Sequence, residues 1–241
     1  MRSLSIRSAI SALLLTTAVA HAGCPPPYTA TSHATFYDAG TGSACGIANV
    51  DGMTTAITSR RWLNSAHCGE CLRVQGPLGA TIVKITDECP DCNASDLDMT
   101  RGAFAKIGNT GDGIIPISWE RVDCPVAGNI ALQIQNGVNQ YYMSFLADLT
   151  RQGVTAISIR EFGSAIWEPL ARQSYGYFII QSQSAGGFSF PLSVELTSQS
   201  GESVQMSNVI PNATQSVTYP TSVQFGACAD RIFANDFGSE M

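Results

Sequence analysis

Lysine is almost absent. Lys84 and Lys106 are the only two in 241 residues. Charged residues of both signs make up 13% of the chain, about half the usual share. Net charge is -6 and the pI is about 4.9. A protein that grips phosphates needs a basic face, and this chain has none, so nucleic acid is excluded as a partner. Charge attachment to acidic membranes or polyanionic walls is excluded for the same reason. Histidine is equally scarce: His21, His33 and His67 are all there are. There is no Gly-x-Ser-x-Gly elbow and no glycine-rich phosphate loop. Little remains from which to build a histidine metal site or a Ser/His triad. Acid–base work must fall to carboxylates, and no metal or cofactor is expected.

Long apolar runs are also missing. The one run, Ala9 to Ala20, is too short to span a bilayer. Arg2 and Arg7 precede it and Ala20-His21-Ala22 follows, the pattern of a signal peptide over residues 1–22. The chain is therefore expected outside the cell. Gly23-Cys24 raises a lipoprotein alternative, but His21 stands where lipoproteins usually carry Leu. Cysteine, in contrast, is plentiful: Cys24, Cys45, Cys68, Cys71, Cys89, Cys92, Cys124 and Cys228, all beyond the leader. An even number in an oxidising compartment reads as disulfides. Cys68-x-x-Cys71 and Cys89-x-x-Cys92 would suit zinc in a cytosolic chain. Spacing alone does not pair them.

Composition changes at Pro125-Val126-Ala127-Gly128. A Gly- and Cys-rich region precedes it, and a Ser/Gln/Thr-rich region follows. This predicts a first domain over 23–126, a second over 127–226, and a tail over 227–241. Both domains read as β. Alternation marks 81–85 and 115–119, then 131–134, 156–159, 177–180 and 192–196. Helical turns are expected at 101–106 and 59–63. Trp119 and Trp167 are assigned to the core. Asn93-Ala94-Ser95 and Asn212-Ala213-Thr214 fit the N-glycosylation pattern.

Five carboxylates crowd between residues 87 and 98: Asp87, Glu88, Asp91, Asp96 and Asp98. No basic residue stands among them. Like charges held close raise one another's pKa, which can make a general acid. A solvated acidic loop or adventitious calcium binding would use the same residues.

Several segments, in order, resemble the expansin family, in particular its microbial members. They are His33-Ala34-Thr35-Phe36-Tyr37, Gly42-Ser43-Ala44-Cys45-Gly46, Cys68-Gly69-Glu70-Cys71 and Ile85-Thr86-Asp87. Asp96-Leu97-Asp98-Met99-Thr100-Arg101-Gly102-Ala103-Phe104 and Trp119-Glu120-Arg121-Val122-Asp123-Cys124-Pro125 complete the set, with Gly128-Asn129 after it. The resemblance implies an all-β fold: a six-stranded double-psi β-barrel followed by an immunoglobulin-like, carbohydrate-binding β-sandwich. It implies one open groove over both domains and non-hydrolytic loosening of cellulose or related wall glycans by a monomer. It places Asp98 as the key acid, with Thr35 and Asp87 beside it in the groove. The aromatic residue usual two positions after Asp87 is Cys89 here. It implies the pairs Cys45–Cys68, Cys71–Cys124 and Cys89–Cys92, leaving Cys24 and Cys228 for each other. Tyr141, Tyr142 and Tyr175 match its sugar-stacking platform, and Tyr37 and Gln135 are further expected substrate contacts. Adjacent strand residues face opposite ways, so Tyr141 and Tyr142 share a surface only where alternation breaks. Two alternatives stay open. The barrel is also similar to family 45 endoglucanases, and Asp38 stands near their second carboxylate. Asp98 would then be the acid and Asp38 the base of a weak endo-β-glucanase. The third reading is a binding module without loosening activity.

Overall fold

The computed structural model describes residues 29–49 and 51–228. The leader, Cys24 and the tail after Cys228 lie outside them. Six strands close into a barrel: β1 (Thr29–Tyr37), β2 (Thr54–Thr58), β3 (Cys71–Gly76), β4 (Gly79–Cys89), β5 (Leu97–Thr100) and β6 (Ile115–Val122). Around the barrel the order is β1-β5-β2-β4-β3-β6. The β1/β5 and β2/β4 pairs are parallel and the other four antiparallel.

Period-two alternation sorts the side chains. In β5, Leu97 and Met99 are buried, and Asp98 between them is not. In β6, Ile115, Ile117 and Trp119 point inward, as do Leu72 and Val74 in β3. Two one-turn helices, α1 (Ser59–Trp62) and α2 (Arg101–Phe104), add Trp62 and Phe104 to the same core.

Nine strands follow. They are β7 (Ala131–Ile134), β8 (Tyr142–Asp148), β9 (Val154–Arg160), β10 (Glu168–Pro169), β11 (Ala171–Arg172), β12 (Phe178–Gln181), β13 (Leu192–Ser198), β14 (Ser203–Ile210) and β15 (Val217–Pro220). They form a sandwich of two sheets, β10-β9-β13-β14 and β11-β12-β8-β7-β15. A second core lies between them, built on Leu132, Met143, Phe145, Ile157, Ile159, Leu192, Val194 and Leu196. The fold is all-β, as the sequence implies.

Strand β8 explains how barrel and sandwich meet. Met143, Phe145 and Ala147 face the sandwich core. The alternate residue Leu146 packs into the barrel core instead. Asp148, on Leu146's face, lies 3.4 Å from barrel Lys84. One face of this sheet is therefore covered by the barrel near Asp148 and emerges from it toward Tyr142.

Disulfides join Cys45–Cys68, Cys71–Cys124 and Cys89–Cys92, with Cα separations of 5.6, 5.1 and 5.4 Å. Cys228 is also disulfide-bonded. Trp119 is buried as expected, whereas Trp167 is only half-buried, with Arg160 stacked 4.8 Å from its ring centre.

Candidate functional site

Register places four residues in a row across four neighbouring strands. Thr35 of β1 lies opposite Asp98 of β5, Asp98 opposite Ala56 of β2, and Ala56 opposite Asp87 of β4. Cross-strand partners share a face, so these side chains point the same way. A register shift between Thr55 and Ala56 inserts Thr86 as an extra residue in β4 and brings Asp87 opposite Ala56. The two carboxylates sit two strands apart, about 9.5 Å by backbone spacing.

Thr35 Oγ1 donates to Asp98 Oδ1 at 2.6 Å. Asp87 Oδ1 accepts from the backbone N–H groups of Ala44 and Glu88, at 3.2 and 3.0 Å. Both carboxylates are half-buried. Tyr37 follows Thr35 by two residues and stands near both. Burial pushes its phenol up to about 12, and the charges of Asp87 and then Asp98 push the same way. The sign of this shift makes a prediction. The unfolded chain ionises this phenol near pH 10. The folded chain keeps it neutral, so its contribution to stability is full below pH 10 and is lost between pH 10 and 12. An absorbance titration at the phenolate band should show Tyr37→Phe missing one tyrosine from the late-ionising group only. Loss from the early group would contradict the placement.

The other carboxylates have different occupations. Asp96 ties β1 to the loop that precedes β5. It accepts from Ser32 Oγ, from the His33 N–H at 3.1 Å and from Asn93 Nδ2 at 2.8 Å. Burial opposes its ionisation, but these hydrogen bonds outweigh it and hold the carboxyl below its usual range. Glu88 accepts from Ser59 Oγ, and Asp91 is exposed on the Cys89–Cys92 loop. Asp38 is joined at both oxygens to Arg101, at 2.6 and 2.7 Å. Those hydrogen bonds hold its carboxyl below the usual range. Arg101 also stacks 4.5 Å from the Phe36 ring centre. The sequence reading missed this pairing, because nothing in the spacing of Asp38 and Arg101 announces it.

A loop carries the row on toward the sandwich. Ala44 N donates to Asp87 and Cys45 N to the Thr86 carbonyl. Gly46, at φ 69°, lies against Tyr177, and a Cβ there would come 2.5 Å from the ring. Tyr177 packs on the barrel core, and its ring centre is 5.9 Å from that of Tyr175. Tyr175 is 40% exposed; burial raises its pKa, followed by the charge of the neighbouring Tyr142 phenol and then by a hydrogen bond with it. Tyr142, Tyr175 and Tyr177 are thus connected. Tyr141 departs from them: it is 43% exposed, and its hydroxyl donates to the Ala185 carbonyl at 3.4 Å. Gln135 accepts from Ser144 Oγ at 2.8 Å, on the same β8 face as Tyr142. Tyr177 was not singled out from sequence. Both residues lie in the turn before β12, around Gly176 at φ 87°, so no strand periodicity announces the pair.

Comparison with known proteins completes the picture. A family model described as lytic transglycolase matches residues 29–119, and one described as the expansin-like protein middle domain matches 126–226. Expansin-like protein 5 of Dictyostelium discoideum is 30% identical over 83% of this chain and 89% of its own. Expansin-YoaJ of Bacillus subtilis is 30% identical over 68% of this chain and 69% of its own. The apo Clavibacter michiganensis expansin superposes with a TM-score of 0.73 at 27% identity, covering 83% of this chain and 98% of that one. A mutant of that expansin in complex with cellohexaose gives 0.72 at 26%, with the same coverage. With the barrel, the sandwich and these relatives in agreement, the chain belongs to the expansin family.

Proposed function

We propose that the chain is a secreted protein that binds cellulose or a related β-glucan in one open groove and loosens contacts between glycan chains without cutting them. The observation that carries this reading is the connected line of side chains from Thr35 through Asp98, Asp87 and the 44–46 loop to Tyr177, Tyr175 and Tyr142. A β-glucan presents flat C–H faces and wet hydroxyl edges. Planar phenol rings stack on the faces, and carboxylates accept from the hydroxyls. A line that offers carboxylates at one end and rings at the other suits a polymer lying along it. Gln135 adds an amide on the face of Tyr142, whereas Tyr141, turned to the Ala185 carbonyl, is left out of the line. The complex of the related Clavibacter expansin with cellohexaose supports the same substrate class. An inverting hydrolase needs a free base opposite its acid. The Asp38 carboxylate is committed to Arg101, which favours loosening over hydrolysis.

The test is a paired assay on cellulose filter strips that measures mechanical weakening and released reducing ends together. The expected result is weakening with no sugar release. Sugar release that scales with weakening would replace this reading by the endoglucanase, and binding with neither would leave a carbohydrate-binding module.

A further inference from the structure

Three consecutive residues that are not glycine, Leu63, Asn64 and Ser65, have left-handed backbones, at φ 43°, 57° and 62°. Each is unfavourable for an L-residue. A run of three persists only where its surroundings hold it. The sandwich supplies the hold. Ser65 Oγ donates to the Gln173 carbonyl at 2.7 Å, Asn64 Nδ2 to the Arg172 carbonyl at 3.1 Å, and Trp62 Nε1 to the Ser174 carbonyl at 3.0 Å. In return Arg172 Nη1 donates to the Ser65 carbonyl at 3.1 Å.

Close by lies a carboxylate that the groove does not use. Glu70 is 2% exposed. Its Oε1 is 2.5 Å from His67 Nδ1 and accepts from the Gln199 side-chain amide; its Oε2 is 2.6 Å from Arg121 Nε. Gln199 belongs to the sandwich, and Gln199 N donates to the Gly153 carbonyl at 3.0 Å. A Cβ at Gly153 would come 2.8 Å from Glu70 Cγ, so sandwich backbone closes directly over the acid. A buried carboxylate is tolerated only while its oxygens are satisfied, and part of that satisfaction comes across the seam.

We propose that Glu70 and the left-handed turn Leu63–Asn64–Ser65 form an interdomain lock, a positioning device that holds the sandwich in one register on the barrel. Through that register the lock keeps the acidic row collinear with the tyrosines, a consequence that rests on the function proposed above. Glu70 touches no glycan in this scheme.

Calorimetry of the full chain tests the lock itself. The wild type should unfold in one transition. Glu70→Ala and, separately, Gln199→Ala should each give two, the earlier about 5 °C or more below the wild type. The double variant should be no worse than Glu70→Ala alone, because both changes remove one shared contact across the seam. Single transitions with additive losses would overturn the lock. Should Glu70→Ala fail to fold, Gln199→Ala and Ser65→Ala carry the same test from partners around the acid and the turn. On filter strips the folded variants should still bind cellulose as the wild type does, yet weaken paper about tenfold less. Full weakening by variants that unfold in two steps would overturn the link to the groove. A wild type that neither binds nor weakens paper would refute the proposed function, while calorimetry would still decide the lock.

Discussion

Asp98→Asn should reduce filter-paper weakening by about ten- to a hundredfold while leaving cellulose binding close to wild type. Asp98 stands outward between the buried Leu97 and Met99, so exchanging its side chain disturbs no core packing. Asparagine keeps the shape and can still accept from Thr35 Oγ1, so the 2.6 Å bond survives. What disappears is the charge. A hydrogen bond to a carboxylate contributes about 1.5–3 kcal/mol, against about 1 for a neutral pair. A difference of 1.4 kcal/mol is a factor of ten. Binding should persist, because in this scheme it depends on Tyr142, Tyr175 and Tyr177 on the other body. Equal weakening by Asp98→Asn and wild type would remove Asp98 from the proposed function. Loss of binding together with weakening would move the anchor from the tyrosines to the acid.

The sequence made some of this legible and hid the rest for physical reasons. Strands with strict alternation were readable: 81–85 lies in β4, 115–119 in β6, and 131–134 coincides with β7. Strand β8 was hidden because it is buried on both faces. Met143 to Ala147 are all buried, and the single polar residue among them, Ser144, bonds inward to Gln135, one side of the strand meeting the sandwich core and the other the barrel. The short strands β10 and β11 are defined by their neighbours and carry no pattern of their own. The acidic cluster was visible between Asp87 and Asp98, but not which members act together. That depends on a register shift at Thr86 and on β2 lying between β4 and β5. Likewise the resemblance implied Tyr141, Tyr142 and Tyr175 as one platform, whereas the fold joins Tyr142 to Tyr175 and Tyr177, both in the segment that leads into β12. The connected line is a property of the tertiary structure, and the family resemblance supplied what periodicity could not.

Replacing both Cys71 and Cys124 with Ala should cost about 4 kcal/mol of stability, and should lower the unfolding midpoint by about 10 °C. Loop length sets the size of the effect. This bond spans 53 residues of chain, against 23 for Cys45–Cys68 and 3 for Cys89–Cys92. In the chain-entropy account the stabilisation rises with the logarithm of the closed loop, so removing Cys89–Cys92 should cost about half as much. Position adds to length. Cys71 opens β3 and lies opposite Val122 at the end of β6, so the bond closes the barrel where those two strands meet. Cys124 N donates to the Arg151 carbonyl at 2.7 Å, which fastens the same point to the sandwich. Loss of this disulfide therefore loosens the barrel and its link to the second body together. Thermal unfolding of the two double variants, side by side under non-reducing conditions, checks the order. A Cys89/Cys92 variant less stable than the Cys71/Cys124 variant would show that native contacts held around the acidic loop, rather than chain entropy, govern the contribution of these bonds.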